Sequence, residues 1–194
     1  MFSMTKNTKN LIDIVDKYNQ PTGETCTPDE STDHGIWHRG AHVILYTKNA
    51  EILVQKRSKT IMQAPSKLTL GAGGFVDAGE TPAQAAIRET FEETGVAIKE
   101  NDLEFLSVVR QSKRWRYRGK KKLSNAFVYS YAAEISSNQI FTPQLSEAQW
   151  VKLLLMKDIK KLLTLRQLRN LGKVAPLVEF YADAIKKIEL ILKR

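Results

Sequence analysis

Cys26 is the only cysteine in the 194 residues, so no intramolecular disulfide can form and the cross-linked scaffolds of small secreted domains are excluded. No apolar run approaches the roughly 20 residues needed to cross a bilayer, and residues 1–10 lack the apolar core of a signal peptide. These absences lead us to expect a cytoplasmic protein with no membrane partner. No repeat, low-complexity tract or Pro/Gly-rich linker divides the chain, so one compact unit with terminal extensions is expected. Hydrophobic residues make up 42% and charged residues 26%, near the values of ordinary globular domains, which excludes disordered, fibrous and collagen-like classes. The length suits one domain with a sizeable core.

Positive charge is present in excess. A formal net charge of +9 and a pI near 9.6 point toward phosphorylated metabolites or nucleic acid as partners. The excess is local: residues 1–38 hold six acidic residues against three lysines, whereas 110–122 hold eight Lys or Arg and no acid.

Short segments at 11–15, 42–46, 52–55, 67–70, 103–109, 126–132 and 149–154 are rich in β-branched or aromatic residues and predict strands. The turn-like Lys48-Asn49-Ala50 makes 42–46 and 52–55 a hairpin. The clearest helix spans Pro82–Thr94. Thr81 serves as N-cap with Gln84 completing a capping box, Pro82 suits the first helical position, and Gly95 supplies the stop. Leu177, Phe180, Tyr181, Ile185, Ile188 and Leu192 recur at helical steps and predict a helix over 176–193 that docks on the sheet; a Leu-rich pattern predicts another over 157–171.

The chemistry concentrates on the 82–94 helix. At about 100° per residue, Arg88, Glu89, Glu92 and Glu93 fall within an arc of roughly 140°, with Ala83, Ala86, Ile87 and Phe91 expected on an apolar back. Carboxylates one turn apart repel by several tenths of a kcal/mol per pair. Arg88, four residues before Glu92, offsets part of this; a hard divalent cation, which favours clustered carboxylate oxygens, water and phosphate, would offset far more. The Gly71-Ala72-Gly73-Gly74 run just before lets the backbone approach a ligand without side-chain interference. A merely solvated acidic face does not account for Gly74, Glu80 and Arg88-Glu89-x-x-Glu92-Glu93-x-Gly95 standing at these fixed intervals.

This spacing resembles the Nudix box, Gly-x5-Glu-x7-Arg-Glu-U-x-Glu-Glu-x-Gly-U with U aliphatic; Gly74, Glu80, Arg88, Glu89, Glu92, Glu93, Gly95 and Val96 fit it. Thr90 departs at one U position. The resemblance implies an α/β Nudix fold, a mixed β-sheet sandwiched between helices (α/β/α), occupying about 38–172 between an N-terminal arm (1–37) and a C-terminal helix (173–194). It also implies hydrolysis of a diphosphate linkage in a nucleoside diphosphate derivative or similar metabolite. Glu89, Glu92, Glu93 and the Gly74 carbonyl would hold Mg²⁺ or Mn²⁺, and Glu89, Glu92 and Arg88 would be catalytic. A general base outside the box, Glu134 or Glu147, is an alternative. More weakly, the segments 38–43, 53–58 and 65–74 and the arm 11–16 resemble the branch related to isopentenyl diphosphate isomerase. That isomerase needs a cysteine and a histidine flanking the first glycine of its box, where this chain has Gly73 and Phe75, so isomerisation is disfavoured.

Other features remain open at this level. His34, His38 and His42 stand four apart, yet 42–46 reads as a strand, which breaks helical alignment and favours structural roles. The basic 110–122 segment, with Trp115 and Tyr117 interleaved, reads as a hairpin loop that either grips phosphates and stacks a base or is simply solvated. Arg114, Trp115 and Arg116 of this segment are candidate substrate-binding residues, and the resemblance implies Arg57 and Lys59, just after the second hairpin strand, as contacts to the substrate's phosphate. RNA binding or RNA-end processing through 110–122 and homodimer formation are further alternatives.

Overall fold

The computed structural model describes residues 11–164 and 175–193. Residues 1–10, the second half of the predicted 157–171 helix and the domain boundary at 172 lie outside the described residues. The elements in chain order are strands β1 (Ile12–Val15) and β2 (Pro21–Cys26), helix α1 (Pro28–His34), and strands β3 (Trp37–Tyr46), β4 (Glu51–Arg57), β5 (Leu68–Leu70) and β6 (Ala72–Phe75). There follow helix α2 (Pro82–Thr94), strands β7 (Glu104–Tyr117), β8 (Lys120–Glu134) and β9 (Ala148–Leu155), and helices α3 (Met156–Thr164) and α4 (Ala175–Ile191).

β3 is the axis of the sheet. It runs parallel to β8 over ten residue pairs from Trp37↔Asn125 to Tyr46↔Glu134 and antiparallel to β6 from Gly40↔Phe75 to Val43↔Ala72. It turns into β4 at Tyr46↔Ile52. β4 pairs with β5 and β9, and β7 folds back on β8. A strand buried on both faces needs apolar residues at consecutive positions rather than alternate ones, which is what Val43-Ile44-Leu45 provides, each with no exposed surface. Alternation then sorts them. Ala41, Val43, Leu45 and Leu53 join Ala85, Ala86 and Val96 on the α2 side, while Ile44, Tyr46, Ile52 and Val54 meet Met156, Ile159, Tyr181, Ile185 and Ile188 of α3 and α4 on the other. The result is the expected mixed sheet between helices.

Most predicted strands are present with extended ends, and the α2 bounds coincide with those predicted. Residues 110–122 are corrected from loop to strand: β7 and β8 continue through them to a two-residue turn at Arg118-Gly119. Both turn residues have positive φ, 48° and 78°, as a tight hairpin turn that follows the strand twist requires. Cross-strand pairing of Trp115 and Tyr117 with lysines, together with this turn, outweighs the low strand preference of the charged residues.

Four described elements carry no prediction: β2, α1, β6 and a single 3-10 turn at Glu100–Asp102. The α1 signal is nonetheless in the sequence. Thr27 caps, Pro28 starts and Glu30 completes a capping box, the same device that opens α2. β6 has no such signal, because glycine is a poor strand former and pairing with β3 alone makes Ala72–Phe75 a strand. The described part of the N-terminal arm is bonded into this framework: Ile14 pairs with His38, the Ala78 amide donates to the Leu11 carbonyl at 2.7 Å, and the Gly79 amide to the Asp13 carboxylate at 3.0 Å.

Truncating Ile44, which is fully buried where β3 faces α4, is expected to cost about 2–5 kcal/mol in Ile44→Ala. Urea unfolding should show a lower midpoint at unchanged slope; an unaltered midpoint would place the core elsewhere.

Candidate active site

Helix α2 seats on β6, and the absence of a side chain at Gly74 sets how close it comes, while that at Gly73 lets β6 lie against β3. A Cβ on Gly74 would lie 2.6 Å from the Glu89 carboxyl carbon, and one on Gly73 would lie 2.8 Å from His42 Cα. The docking face of the helix is rotated from the expected one, with Ala85, Ala86, Thr90, Glu93 and Thr94 buried. Glu93 is buried at 6% exposure, whereas Phe91, assigned above to the apolar back, is 59% exposed. Thr90 is also fully buried, and its hydroxyl donates to the Ala86 carbonyl at 2.7 Å, which satisfies the polar atom that departs from the box pattern.

Arg88 joins the helix to the chain before it. Its Nε and Nη2 donate to the two Glu80 carboxylate oxygens, both at 3.0 Å, and Nη2 also donates to the Phe75 carbonyl at 3.0 Å. Nη1 reaches Glu89 at 2.9 Å and Glu92 at 3.4 Å. The Glu80 hydrogen bonds, with the Glu89 charge adding to them, hold the guanidinium firmly protonated. Planar two-point pairing of this kind fixes geometry as well as charge, so Arg88 positions the carboxylates around it.

The three box glutamates differ in environment. Glu93 accepts from Gln55 Nε2 at 2.6 Å and from the Gly73 amide at 3.3 Å. Burial outweighs these bonds and pushes its carboxyl up to about 7. Glu89 lies under Gly74, and burial raises its pKa too, against the pull of Arg88. Glu92 is the open one, with its side chain 48% exposed. Gln55 went unrecognised above, although a lone amide closing the apolar run Ile52-Leu53-Val54 was its signal. It is 3% exposed and bridges Glu93 to the Gly71 carbonyl at 2.7 Å.

Among the described residues no three acidic, His or Cys side chains already converge as a metal cage; Arg88 Nη1 spans the Glu89 and Glu92 oxygens instead. The donor set fits a hard cation all the same. Two desolvated carboxylates hold raised pKa values because local positive charge does not balance them, and an added divalent charge would reverse that.

The other candidates fall in two places. Arg57, Lys59, Arg114, Trp115 and Arg116 line one open groove of roughly 1280 Å³ beside the β7–β8 hairpin. The Glu147 carbonyl accepts from the Ser58 amide at 2.8 Å, next to Arg57. Glu134 ends β8, six rungs from Val128, the β8 residue opposite Gly40, and lies 3.6 Å from Lys48. His38 and His42 follow on β3 and donate to or face backbone carbonyls of Ile36 and Leu70 at 2.9 and 2.7 Å; His34 ends α1. No described helix is long and apolar enough to cross a membrane.

A family model described as NUDIX domain matches residues 36–169. The chain belongs to the NUDIX domain family. It is 36% identical over 86 residues to an uncharacterized Nudix hydrolase of Pseudomonas aeruginosa, covering 44% of this chain and 50% of that protein. It is 35% identical over 86 residues to an uncharacterized Nudix hydrolase of Listeria monocytogenes, covering 44% and 51%. The matches thus span about half the length of these curated relatives. The crystal structure of DR0079 from Deinococcus radiodurans shares the fold, with TM-score 0.56 and 20% identity over 77% of this chain and 85% of that one.

The Glu93 environment makes a pH prediction with definite sign. Its folded-state pKa, near 7, exceeds the unfolded value near 4.5, so the folded state holds more protons between those pH values. Stability of the metal-free protein therefore falls as pH rises from about 4.5 to 7, by on the order of 3 kcal/mol at about 1.4 kcal/mol per unit. In Glu93→Gln the decline should shrink by about that amount, leaving only the part that the raised Glu89 carboxyl contributes and making the variant more stable than wild type at pH 8 in chelator. Urea titrations at pH 5 and pH 8 check this, and parallel declines in both proteins would refute it.

Proposed function

We propose that the protein hydrolyses the diphosphate linkage of a small phosphorylated metabolite of nucleoside diphosphate type, with Mg²⁺ or Mn²⁺. The observation that carries this is that helix α2 sets Glu89 against Gly74 and Glu93 against the Gly73 amide, with Glu92 tied to Glu89 through Arg88, next to a cation-lined groove. Glu89, Glu92, Glu93 and the Gly74 carbonyl would hold the metal. When bound, the metal supplies positive charge against the diphosphate oxygens. Glu92 is the open carboxylate and accepts the proton of the attacking water; the new bond forms between that water oxygen and phosphorus, and the bridging P–O bond breaks in line. Arg88 acts by holding Glu80, Glu89 and Glu92 in place. Arg57 and Lys59, at the near end of the groove, bind the phosphates, with Arg114, Trp115 and Arg116 contacting the remainder of the substrate. Glu147, beside Arg57, serves better as an auxiliary base than Glu134.

The resemblance to isomerase-type relatives does not extend to their chemistry. A cysteine side chain at position 73 would collide with the backbone of Ala41 and His42, so β6 has no room for the thiol that proton transfer demands.

The test is release of phosphomonoester products, read as orthophosphate after added alkaline phosphatase, from a panel of nucleoside diphosphate derivatives with Mg²⁺ or Mn²⁺. At least one member should be turned over, and Glu92→Gln should lower kcat by about 10² or more, the usual worth of a general base. A flat panel with wild type, or full activity in Glu92→Gln, would sink the reading.

A further inference from the structure

Glu80 owes its place to a turn that packs no apolar core of its own. The Asp77–Glu80 turn closes on itself, with the Glu80 amide donating to the Asp77 carbonyl at 3.0 Å and the Asp77 amide to Glu80 Oε2 at 3.1 Å. Ala78 and Gly79 between them are exposed, and Gly79 holds a φ of 78° with open space where a side chain would stand. A short exposed turn without buried apolar side chains opens readily. Its geometry nonetheless sets the site, because Glu80 aims both carboxylate oxygens at Arg88, and Arg88 in turn spans Glu89 and Glu92.

The N-terminal arm supplies the support that the turn lacks. Both central amides are taken by it: Ala78 donates to the Leu11 carbonyl at 2.7 Å and Gly79 to the Asp13 carboxylate at 3.0 Å, while Ile12 bridges to Asp77. β1 can hold the turn because it is itself fixed. Ile12 and Val15 are buried, Ile14 pairs with His38, and Arg39 grips the chain just after β1. Its Nε donates to Asn19 Oδ1 and its Nη2 to the Asn19 carbonyl, both at 2.9 Å, and Asn19 Nδ2 donates to the Tyr129 hydroxyl at 2.8 Å. The Arg39 carbonyl also accepts from the Val76 amide at 3.2 Å, so one residue of β3 anchors both the arm and the chain that enters the turn. The bonds close a ring from β3 to the arm, from the arm to the turn, and from the turn back to β3.

We propose that the arm is a positioning clamp for the candidate active site: Asp13 and the Leu11 carbonyl hold the Asp77–Glu80 turn so that Glu80 keeps Arg88, and with it Glu89 and Glu92, in place. Asp13 is a positioning residue that acts through the Gly79 backbone and Glu80. None of Leu11, Asp13, Asn19 and Arg39 belongs to the box. The inference rests on the hydrolase reading only for its effect on turnover, since the ordering of Arg88 is a property of the metal-free chain.

Asp13→Ala removes one half-buried acceptor and leaves the buried Ile12 and Val15 untouched, so the fold survives, whereas Asp13→Asn keeps an oxygen that can accept. Hydrogen exchange followed by NMR in the full chain without metal should show the Arg88 Nε–H and the Glu80 amide exchanging about fivefold faster in Asp13→Ala, the usual worth of one hydrogen bond. The β3 amides should be unaffected, and Asp13→Asn should exchange as wild type does. On a substrate that wild type hydrolyses, Asp13→Ala should lower kcat about fivefold at unchanged KM, and Asp13→Asn should restore it. Wild-type exchange at Arg88 and Glu80 in Asp13→Ala, or an acceleration shared equally by the β3 amides, would overturn the clamp, as would an unchanged kcat where wild type is active. If wild type turns over nothing, the hydrolase reading fails, while selective acceleration at Arg88 and Glu80 still upholds the clamp.

Discussion

The close seat of α2 on the glycine-bearing strand β6 is the constraint from which the rest of the site follows. Gly74 leaves room for the Glu89 carboxylate, the Gly73 amide donates to Glu93, and the helix is held there by Arg88, which bonds simultaneously to Glu80, Glu89 and the Phe75 carbonyl. Desolvating carboxylates is costly unless they are paired. The fold meets part of that cost with Gln55, the Gly73 amide and Arg88, and leaves the remainder as raised carboxyl pKa values at Glu89 and Glu93. That residual imbalance is what a divalent cation would offset under the proposed function.

Around this seat the two faces of the sheet do different work. On the α2 side, β3 and β4 supply the apolar floor that fixes the helix. On the other, the same strands pack on α3 and α4, yet the sheet departs from apolar packing at His42, Ser130 and Lys113. Strand alternation makes this division possible: His42 lies between Ala41 and Val43, so neighbouring residues of one strand serve the helix seat and the opposite face separately.

Much of the architecture was legible because its signals are local. Thr81, Pro82, Gln84 and Gly95 mark the ends of α2 through hydrogen bonds that span three or four residues, and the consecutive apolar residues of β3 and β4 mark strands buried on both faces. Where the reading failed, the deciding contacts were distant in sequence. β6 is a strand because β3 pairs with it, the 110–122 segment is a hairpin because its two arms pair with each other out to Arg118-Gly119, and Phe91 is exposed because α2 docks through the face of Ala85, Ala86, Thr90, Glu93 and Thr94.

By itself, the sequence determined the family resemblance, the helix that carries the acidic residues and the identity of the carboxylates, since box spacing and capping are written within about 23 residues. The tertiary structure alone decided that Glu93 is buried while Glu92 is open, that Gln55 supports the site, and that the N-terminal arm takes the amides of the turn before Glu80. Those facts depend on burial and on approach between strands tens of residues apart, and no local pattern encodes them.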